Sequence, residues 1–201
     1  MKLIVGLGNA TDRYAGTRHN VGMEVVRELA RRHGVGFDRS VSGIGARETM
    51  AVYADWKTSD GIVHLLCPLT MMNASGEALK AATRWRIQPE ATLIVCDDVN
   101  LPLGRLRLRA GGSDGGHHGL ASCLEALGTQ AVPRLRIGVG REPLPKDLND
   151  FVLSPFAAEE QRLVDEALTR AMDACELWAA ERIQTAMNRV NKKEVRGESG
   201  V

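Results

Sequence analysis

The loop after the first apolar run of the sequence carries a high density of polar side chains. Residues 2–5 form a largely apolar run of strand length, and Gly6 and Gly8 follow directly. Glycines at such points let the backbone turn sharply and approach a ligand closely. The polar residues that arrive within the next dozen positions are Asn9, Tyr14, Arg18, His19 and Asn20. Ligand-facing groups of α/β folds collect after the first strand, but a lone loop histidine is usually solvated, so a catalytic interpretation depends on further clusters.

A second polar cluster, residues 70–76, lies between a predicted strand and a predicted helix and contains Asn73. Its side chain has two interpretations. It is typical of a helix N-cap, where the oxygen accepts a hydrogen bond from a backbone N–H. It also offers a donor and an acceptor, which suits recognition of a peptide group or a water molecule.

Two neighbouring carboxylates, Asp97 and Asp98, follow the buried run 92–96. Active groups of α/β folds collect at this position, just past the carboxyl end of a strand. A metal site is one interpretation, although no closely spaced set of ligands accompanies the pair, and spatial convergence leaves it open. Paired with an imidazole, a carboxylate instead fixes the tautomer and stabilises the imidazolium while the histidine takes a proton from water or a hydroxyl.

Alternating arginines lead into a glycine-rich loop and a pair of histidines. The arginines are Arg105, Arg107 and Arg109, the loop spans 111–116, and the pair is His117 and His118. A glycine-rich loop that opens a helix presents backbone N–H groups to anions, but this spacing differs from the GxxxxGK[ST] phosphate loop. The arginines predict either phosphate contacts or a merely solvated strand face. The histidine pair is open between a simple loop pair and ligand contacts.

Strand-like and helix-like segments alternate along the chain, which predicts an α/β protein. The predicted strands are 2–5, 46–56, 62–66, 92–96, 105–109 and 134–139. The predicted helices are 23–33, 73–86, a segment ending at 127, and the long amphipathic segment 157–181. We therefore expect a single α/β domain whose mixed central sheet is flanked by helices on both faces.

The composition is that of an ordinary soluble globular protein. The 201 residues include 44% hydrophobic and 25% charged residues, with a formal net charge of +1. A nucleic-acid partner must therefore meet a local basic face rather than a globally basic protein. The apolar start is too short for a signal sequence, and no stretch reaches the length of a membrane span. Four scattered cysteines without CxxC spacing indicate reduced core residues of a cytoplasmic protein.

Together these clusters resemble the bacterial-type peptidyl-tRNA hydrolase family. The family patterns GLGNPGxxYxxTRHNxG, TFMNxSG, DDLDLPxG and GGxxGHxGL are similar to the stretches 6–22, 70–76, 97–104 and 111–120. The patterns RLRIGxGR, FVL and AMNxxN recur at 134–141, 151–153 and 186–191. Their order and spacing hold over nearly the whole chain, so the resemblance is far more specific than a single glycine motif.

The resemblance implies metal-free and cofactor-free hydrolysis of the ester between a peptide and the terminal ribose of tRNA, by a cytoplasmic monomer. The catalytic residues it implies are His19 as the general base that activates water, Asp97 to hold and polarise it, and Asn9 to distinguish an N-blocked peptide from a free aminoacyl group. The implied substrate and tRNA contacts are Tyr14, Met71, Asn73, His118, Arg107, Arg109 and Arg136. The catalytic domain is expected over 1–191, with 192–201 as a frayed charged tail.

This sequence departs from the family patterns at four places. Ala10 and Thr11 replace Pro-Gly, so the pre-set turn after Asn9 is missing and we expect that asparagine to be held less rigidly. The other departures are Met71 in place of an aromatic residue, Asn100 in place of an acid and His118 in place of asparagine.

Three functions remain open at this point. The first is the hydrolase, and the second is an RNA-binding relative on the same fold that does not use catalysis. The third is a nucleotide- or purine-handling α/β enzyme with an anion-binding glycine loop. Joint retention of His19, Asp97, Asn9 and Asn73 favours the first, because an idle site has no reason to keep them together. The absence of a GxSxG motif argues against a serine hydrolase of the α/β-hydrolase type.

Overall fold

The centre of the protein is a seven-stranded mixed sheet. The computed structural model describes residues 1–43 and 48–192. The strands are β1 (Lys2–Gly6), β2 (Arg39–Ser42), β3 (Thr49–Thr58), β4 (Gly61–Pro68), β5 (Thr92–Pro102), β6 (Leu106–Arg109) and β7 (Arg134–Gly140). Their spatial order is β2-β3-β4-β1-β5-β7-β6. Strands β4, β1, β5 and β7 run parallel at the centre, whereas β2, β3 and β6 are joined by antiparallel pairings.

Helices cover both faces of this sheet, which confirms the predicted fold class. They are α1 (Val21–Arg32), α2 (Ser75–Ala82), α3 (His118–Leu127), α4 (Leu148–Val152), α5 (Gln161–Ala180) and α6 (Ile183–Val190). One core cluster joins α1, α5 and α6 to the sheet, and a second joins α2 and α3 to its opposite face. Successive residues of β1 alternate between them, with Ile4 in the first and Leu3 and Val5 in the second. Among the helices of the described residues, not one has the length and apolar character needed to span a membrane.

The first glycines of the chain permit close helix packing. A Cβ on Gly6 would lie 2.5 Å from the carbonyl oxygen of Gly22, and a Cβ on Gly22 would lie 2.2 Å from that of Val95. A Cβ on Gly8 would likewise meet α1 at 2.8 Å. These glycines therefore allow α1 to pack directly on β1 and β5, and their close approach to a ligand stays a prediction. This packing sets the place of the short 3₁₀ turn Arg18–Asn20, which precedes α1.

The edge strand β6 is covered by the side chain of Asn191, which follows α6. Its Nδ2 donates to the carbonyl oxygen of Leu108 at 2.9 Å, and its Oδ1 accepts from the N–H of Leu108 at 2.8 Å. An unpaired strand edge invites pairing with another chain. The amide satisfies both groups as a neighbouring strand would, which gives the motif at 186–191 a structural function.

Several predicted elements have different bounds in the structure. The strand predicted at 92–96 extends to Pro102, so Asp97 lies inside β5 and not after its end. The helix predicted at 73–86 is a shorter α2 between two 3₁₀ turns, and the helix predicted at 157–181 begins as α5 at Gln161. The elements β2 (four residues), α4 (five residues) and α6 (eight residues) were not predicted from the sequence.

Two predicted segments fall partly outside the described residues. They are positions 46 and 47 of the predicted second strand, and positions 193–201 of the predicted tail. The frayed tail and the domain limits at 191 and 192 therefore stay predictions.

Candidate active site

Two histidines from separate loops converge on the carboxylate of Asp97. His19 Nδ1 lies 2.8 Å from Oδ1 of Asp97, and His117 Nε2 lies 2.9 Å from the same oxygen. The two imidazole centroids are 4.8 Å apart. Strand β5 supplies the aspartate, the turn before α1 supplies His19, and the N-cap of α3 supplies His117. The structure thus brings the predicted pair at positions 19 and 97 into direct contact.

The tautomer of His117 follows from its second hydrogen bond. The N–H of Leu120 donates to His117 Nδ1 at 3.1 Å, so the proton of the neutral ring is on Nε2 and is donated to Asp97. His19 faces the same carboxylate with Nδ1, so its Nδ1–H is the donor and its Nε2 carries the lone pair. The arrangement orients His19 as a base, with its basic nitrogen turned away from the carboxylate.

The carboxylate of Asp97 is ionised in spite of its burial. Burial alone raises the pKa of a carboxyl group, because the charged form loses its hydration. Here the two neighbouring imidazoles, that of His117 first and that of His19 second, outweigh burial and hold the pKa of Asp97 well below its usual range. An ionised Asp97 accepts hydrogen bonds from both rings and stabilises positive charge on an imidazole that takes up a proton.

The same three side chains are near enough to one another to hold a metal ion, since their donor atoms lie within 4.8 Å. A metal would require lone pairs on both nitrogens that face the carboxylate, because ligands must be deprotonated. The hydrogen bond from Leu120 instead leaves Nε2 of His117 protonated. The donor set therefore fits a hydrogen-bonded acid–base group better than a metal centre.

Asn9 is held by three hydrogen bonds at the start of the first loop. Its N–H donates to Asn20 Oδ1 at 2.8 Å, and Asn20 Nδ2 donates to its carbonyl oxygen at 3.0 Å. Its own Oδ1 accepts from the N–H of Met72 at 2.9 Å. With Ala10 and Thr11 in place of Pro-Gly, Asn9 makes these three hydrogen bonds, and the less rigid hold expected from that change stays a prediction.

Met72 joins the second polar cluster to the helix that carries His117. A Cβ on Gly119 would lie 2.3 Å from Sδ of Met72, so glycine allows the first turn of α3 to lie against that side chain. Asn73 and Met71, on either side of Met72, are exposed. The N-cap of α2 is Ala74, so the N-cap interpretation of Asn73 is wrong.

A cavity of about 150 Å³ opens beside the paired histidines and aspartate. Its lining includes His19, Asp97, Asp98, Asp114, His117, His118 and Arg136, and also Leu148, Asn149 and Val152 around α4. Arg136 Nη1 lies 3.3 Å from Asp98 Oδ2, and its Nη2 donates to the carbonyl oxygen of Ser113 at 2.9 Å. One arginine and two further carboxylates therefore face the space next to His19.

The glycine-rich loop at 111–116 is held by arginines through its carbonyl groups. The buried Arg134 donates to the carbonyl oxygens of Gly112 at 2.6 Å and Ser113 at 3.1 Å. The N–H of Gly116 donates to Asp114 Oδ2 at 2.8 Å. Because a carboxylate of the loop itself already meets this N–H, the interpretation of the loop as an anion cradle is weakened.

Four arginines share one side of the sheet at β6 and β7. Arg107 is opposite Arg136, and Arg109 is opposite Arg134, and directly opposed residues of an antiparallel pair point to the same face. Arg107 and Arg109 are exposed, whereas Arg134 is buried. Arg105 is tied to the end of α6 instead, where its Nη2 donates to the carbonyl oxygen of residue 191 at 3.2 Å. The exposed basic face is therefore formed by Arg107 and Arg109, next to the cavity that contains Arg136.

Comparison with known proteins agrees with this arrangement. The sequence matches the family model for peptidyl-tRNA hydrolase over residues 3–198. It is 45% identical to the peptidyl-tRNA hydrolase of Symbiobacterium thermophilum over 193 residues, which cover 94% of this chain and 98% of that protein. For the peptidyl-tRNA hydrolase of Chlorobaculum tepidum the identity is 43% over 192 residues, covering 95% and 98%. The crystal structure of peptidyl-tRNA hydrolase from Acinetobacter baumannii matches with a TM-score of 0.82 and 33% identity, covering 95% of this chain and 94% of that one. The chain belongs to the peptidyl-tRNA hydrolase family.

The residues that the sequence predicted for the site fall into two groups. Those that line the cavity are His19, Asp97, His118 and Arg136. Those that lie outside its lining are Asn9, Tyr14, Met71, Asn73, Arg107 and Arg109. Asn9 is nevertheless tied to the residue after His19 through both of its backbone hydrogen bonds. Tyr14 is half-buried in the 3₁₀ turn Asp12–Tyr14.

The sequence analysis missed the place of His117 in this hydrogen-bonded group. The prediction assigned substrate contact to His118, which is exposed and lines the cavity, and left His117 without a role. The hydrogen bond to Asp97 belongs to His117. The signal was present in the last five positions of the resembling pattern, GHxGL, which match residues 116–120 and place the histidine at position 117.

Proposed function

We propose that this protein hydrolyses the ester between a peptide, or an N-blocked amino acid, and the terminal ribose of tRNA. The reaction recycles tRNA from peptidyl-tRNA that ribosomes release prematurely. The observation that carries the proposal is the 2.8 Å hydrogen bond from His19 Nδ1 to the buried Asp97, which turns Nε2 outward as a base. Hydrolysis of an ester requires an activated water and oriented polar groups, so a protein nucleophile is not needed.

Water is the nucleophile in the proposed reaction. His19 Nε2 takes a proton from water as the water oxygen attacks the ester carbonyl carbon. The imidazolium then gives this proton to the ribose oxygen as the carbon–oxygen bond breaks, so that the products are a carboxylic acid and a tRNA with its ribose hydroxyl restored. Asp97 stabilises the imidazolium between the two steps, while His117 holds the carboxylate by a separate hydrogen bond.

Asn9 is the proposed contact for the peptide. Because its Oδ1 accepts from the N–H of Met72, its Nδ2 is the group oriented for a substrate carbonyl. A fixed amide donor favours an N-blocked amino acid, which has a carbonyl acceptor, over a free ammonium group, which has none. The exposed Asn73 and Met71 add a second amide and an apolar surface beside it.

The exposed arginines of β6 are the proposed surface for the tRNA acceptor stem. Arg107 and Arg109 lie on the same side of the sheet as Arg136, which reaches the cavity. Because the net charge of the chain is only +1, attraction to tRNA has to be local. Tyr14 is assigned to the 3′ end of the tRNA.

The central test is release of an N-acetylated amino acid from tRNA by the purified protein. We expect release from the N-blocked substrate, little release from unblocked aminoacyl-tRNA, and loss of release in His19→Ala. A catalytically idle RNA-binding relative would bind tRNA without releasing product. A nucleotide-handling enzyme would bind small nucleotides in preference to tRNA. An oriented, half-buried base bonded to Asp97 favours hydrolysis over binding alone, because RNA binding does not require it.

The proposed mechanism needs neither a metal nor a cofactor. The hydrogen bonds of His117 on both ring nitrogens support this part of the proposal. Hydrolysis should persist after exhaustive treatment with a chelator of transition metals. A loss that added zinc or manganese restores would assign His19, Asp97 and His117 to metal ligation and overturn the mechanism.

A cytoplasmic monomer is the proposed working form. The four cysteines are buried and unpaired, and burial raises the pKa of the Cys67 thiol to about 12. Buried, protonated thiols suit a reducing compartment. Size-exclusion chromatography with light scattering should give the mass of one chain, and the mass of two chains would contradict the monomer.

A further inference from the structure

The turn that carries the proposed base is fastened to one wall of the cavity. This wall segment, residues 148–160, contains α4, which borders the cavity. The N–H of Arg18 donates to the carbonyl oxygen of Ser154 at 3.1 Å, and Thr17 forms an isolated β-bridge with Pro155. The backbone at the middle of this wall segment is thereby joined to the residues just before His19.

The side chain of Arg18 extends this attachment along the wall. The residue is 4% exposed, and its guanidinium carbon lies 4.4 Å from the ring centroid of Phe151 and 4.8 Å from that of Phe156. Its Nη2 lies 2.5 Å from Glu160 Oε2, and its Nη1 donates to the carbonyl oxygen of Val139 in β7 at 3.3 Å. Three of these four contacts belong to the wall segment, and the fourth ties the group to the sheet.

Both members of the Arg18–Glu160 pair are charged. Burial raises the pKa of Glu160, but the hydrogen bonds from Arg18 and from the N–H of Ala157 outweigh it, so the pKa of that carboxyl is lowered. Among the described residues, Nε of Arg18 is buried without a hydrogen-bond partner. Burial of a cation with an unsatisfied N–H carries a large desolvation free energy. An apolar residue at the same position would stabilise the fold without this penalty. The arrangement is better explained by the geometry that it imposes.

We infer that Arg18 is a positioning residue for the proposed hydrolysis, holding the cavity wall 148–160 and the base His19 in a fixed relation. The inference rests on the proposed function. A planar guanidinium can stack between two rings while it donates in its own plane, and the ammonium of lysine cannot do both. One side chain therefore fixes the position of the cavity wall relative to the imidazole of His19. The wall would border the substrate, and the imidazole would activate water.

Two variants test this inference, and a third provides a matched control. Arg18→Lys keeps the charge but removes the planar group, and Glu160→Gln keeps the shape of the partner but removes its charge. The control is Arg32→Lys, the same change in an arginine that joins α1 to α5 through Asp173 at 2.6 Å. The measurements are kcat and KM on N-acetylaminoacyl-tRNA, and the imidazole ¹⁵N shifts of His19, which report its tautomer without any turnover.

We expect Arg18→Lys to lower kcat by roughly 10- to 100-fold, the scale of a misplacement of about 1 Å, with KM changed little. The ¹⁵N shifts should show that His19 loses its preference for the Nδ1–H tautomer. Glu160→Gln should act in the same direction more weakly, and Arg32→Lys should change neither quantity. If the Arg18→Lys protein does not fold, the kcat and ¹⁵N shifts of Glu160→Gln alone test the positioning role.

An unchanged kcat, or a rise in KM with an unaltered His19 tautomer, would overturn the inference. If the parent protein releases no N-acetylated amino acid, the proposed function fails, and the ¹⁵N shifts still show whether Arg18 controls the orientation of His19. The two failures are therefore distinguishable.

Discussion

His19 and Asp97 are 78 positions apart in the sequence and are joined by a hydrogen bond of 2.8 Å between Nδ1 and Oδ1. Because the same oxygen accepts from His117 at 2.9 Å, the carboxylate is held on two sides. A carboxylate held in this way fixes the ring orientation of His19 before any substrate arrives. Preorganisation of this kind is what a general base requires.

Removal of the imidazole in His19→Ala should lower kcat by about 10²–10⁴, the usual contribution of a general base. Binding of tRNA should survive, because the exposed arginines are untouched. Asp97→Asn should reduce kcat less, since the imidazole remains but its tautomer is less well supported. Single-turnover hydrolysis and tRNA binding measure the two effects, and His33→Ala serves as the control histidine, which is paired with Glu176. Near-normal hydrolysis by His19→Ala would exclude the assignment.

Asp97 should make stability depend on pH in the acidic range. Its pKa in the folded protein is below the value of about 3.9 for an unfolded chain, so on acidification the unfolded state binds the proton first. The stabilising contribution is therefore complete above about pH 5 and is lost as the pH falls toward the folded pKa. The difference in Tm between the parent and Asp97→Asn should shrink between about pH 7 and pH 2.5. Asp12→Asn, at an exposed position, is the control, and a constant difference for Asp97→Asn would contradict the prediction.

Joint replacement of Arg107 and Arg109 by alanine should weaken tRNA binding and flatten its dependence on salt. Each phosphate contact that is lost lowers the slope of log K against log salt by about one. Hydrolysis of a minimal ester without the acceptor stem should change little. The control replaces Arg31 and Arg162, two exposed arginines on α1 and α5, whose helices cover the opposite face of the sheet. Equal slopes for the parent and the β6 variant would show that this face does not bind tRNA.

Gly119→Ala should disturb both stability and activity. The added Cβ would lie 2.3 Å from Sδ of Met72, so the side chain or α3 must shift. Overpacking of this kind costs about 1–3 kcal/mol, and a displaced Met72 no longer holds Oδ1 of Asn9 in place. Gly36→Ala is the matched control, because an added Cβ there meets no described atom within 4 Å. Thermal unfolding and hydrolysis rates check the prediction, which a parent-like Gly119→Ala protein would contradict.

His118→Asn should leave hydrolysis at neutral pH largely intact. Neutral imidazole and a carboxamide each supply a donor and an acceptor, so a contact with water or peptide is kept. Rates of hydrolysis by the parent and by His118→Asn at neutral pH check the prediction. A collapse at neutral pH as deep as that of His19→Ala would mean that the roles of the two histidines are exchanged.

The sequence by itself determined the class of fold and the polar loops that form the site. Alternation of apolar residues is a local property, so the central strands and the amphipathic α1 and α5 are visible in the order of residues alone. The four polar motifs are visible in the sequence for the same reason, because each is a short stretch next to a predicted strand. Their family resemblance depends only on spacing within and between these stretches.

The tertiary structure alone decided which side chains meet. The resembling pattern singles out the histidine at position 117, but the contact of that histidine with Asp97 depends on the direction in which the N-cap of α3 points, and a local pattern does not encode that direction. Likewise, the contact of Arg18 with Glu160, more than a hundred positions away, depends on the packing of the wall segment 148–160 against the turn before α1. Hydrogen bonds and ion pairs between distant residues are set by the strand order and by helix packing, which bring together stretches that the sequence separates.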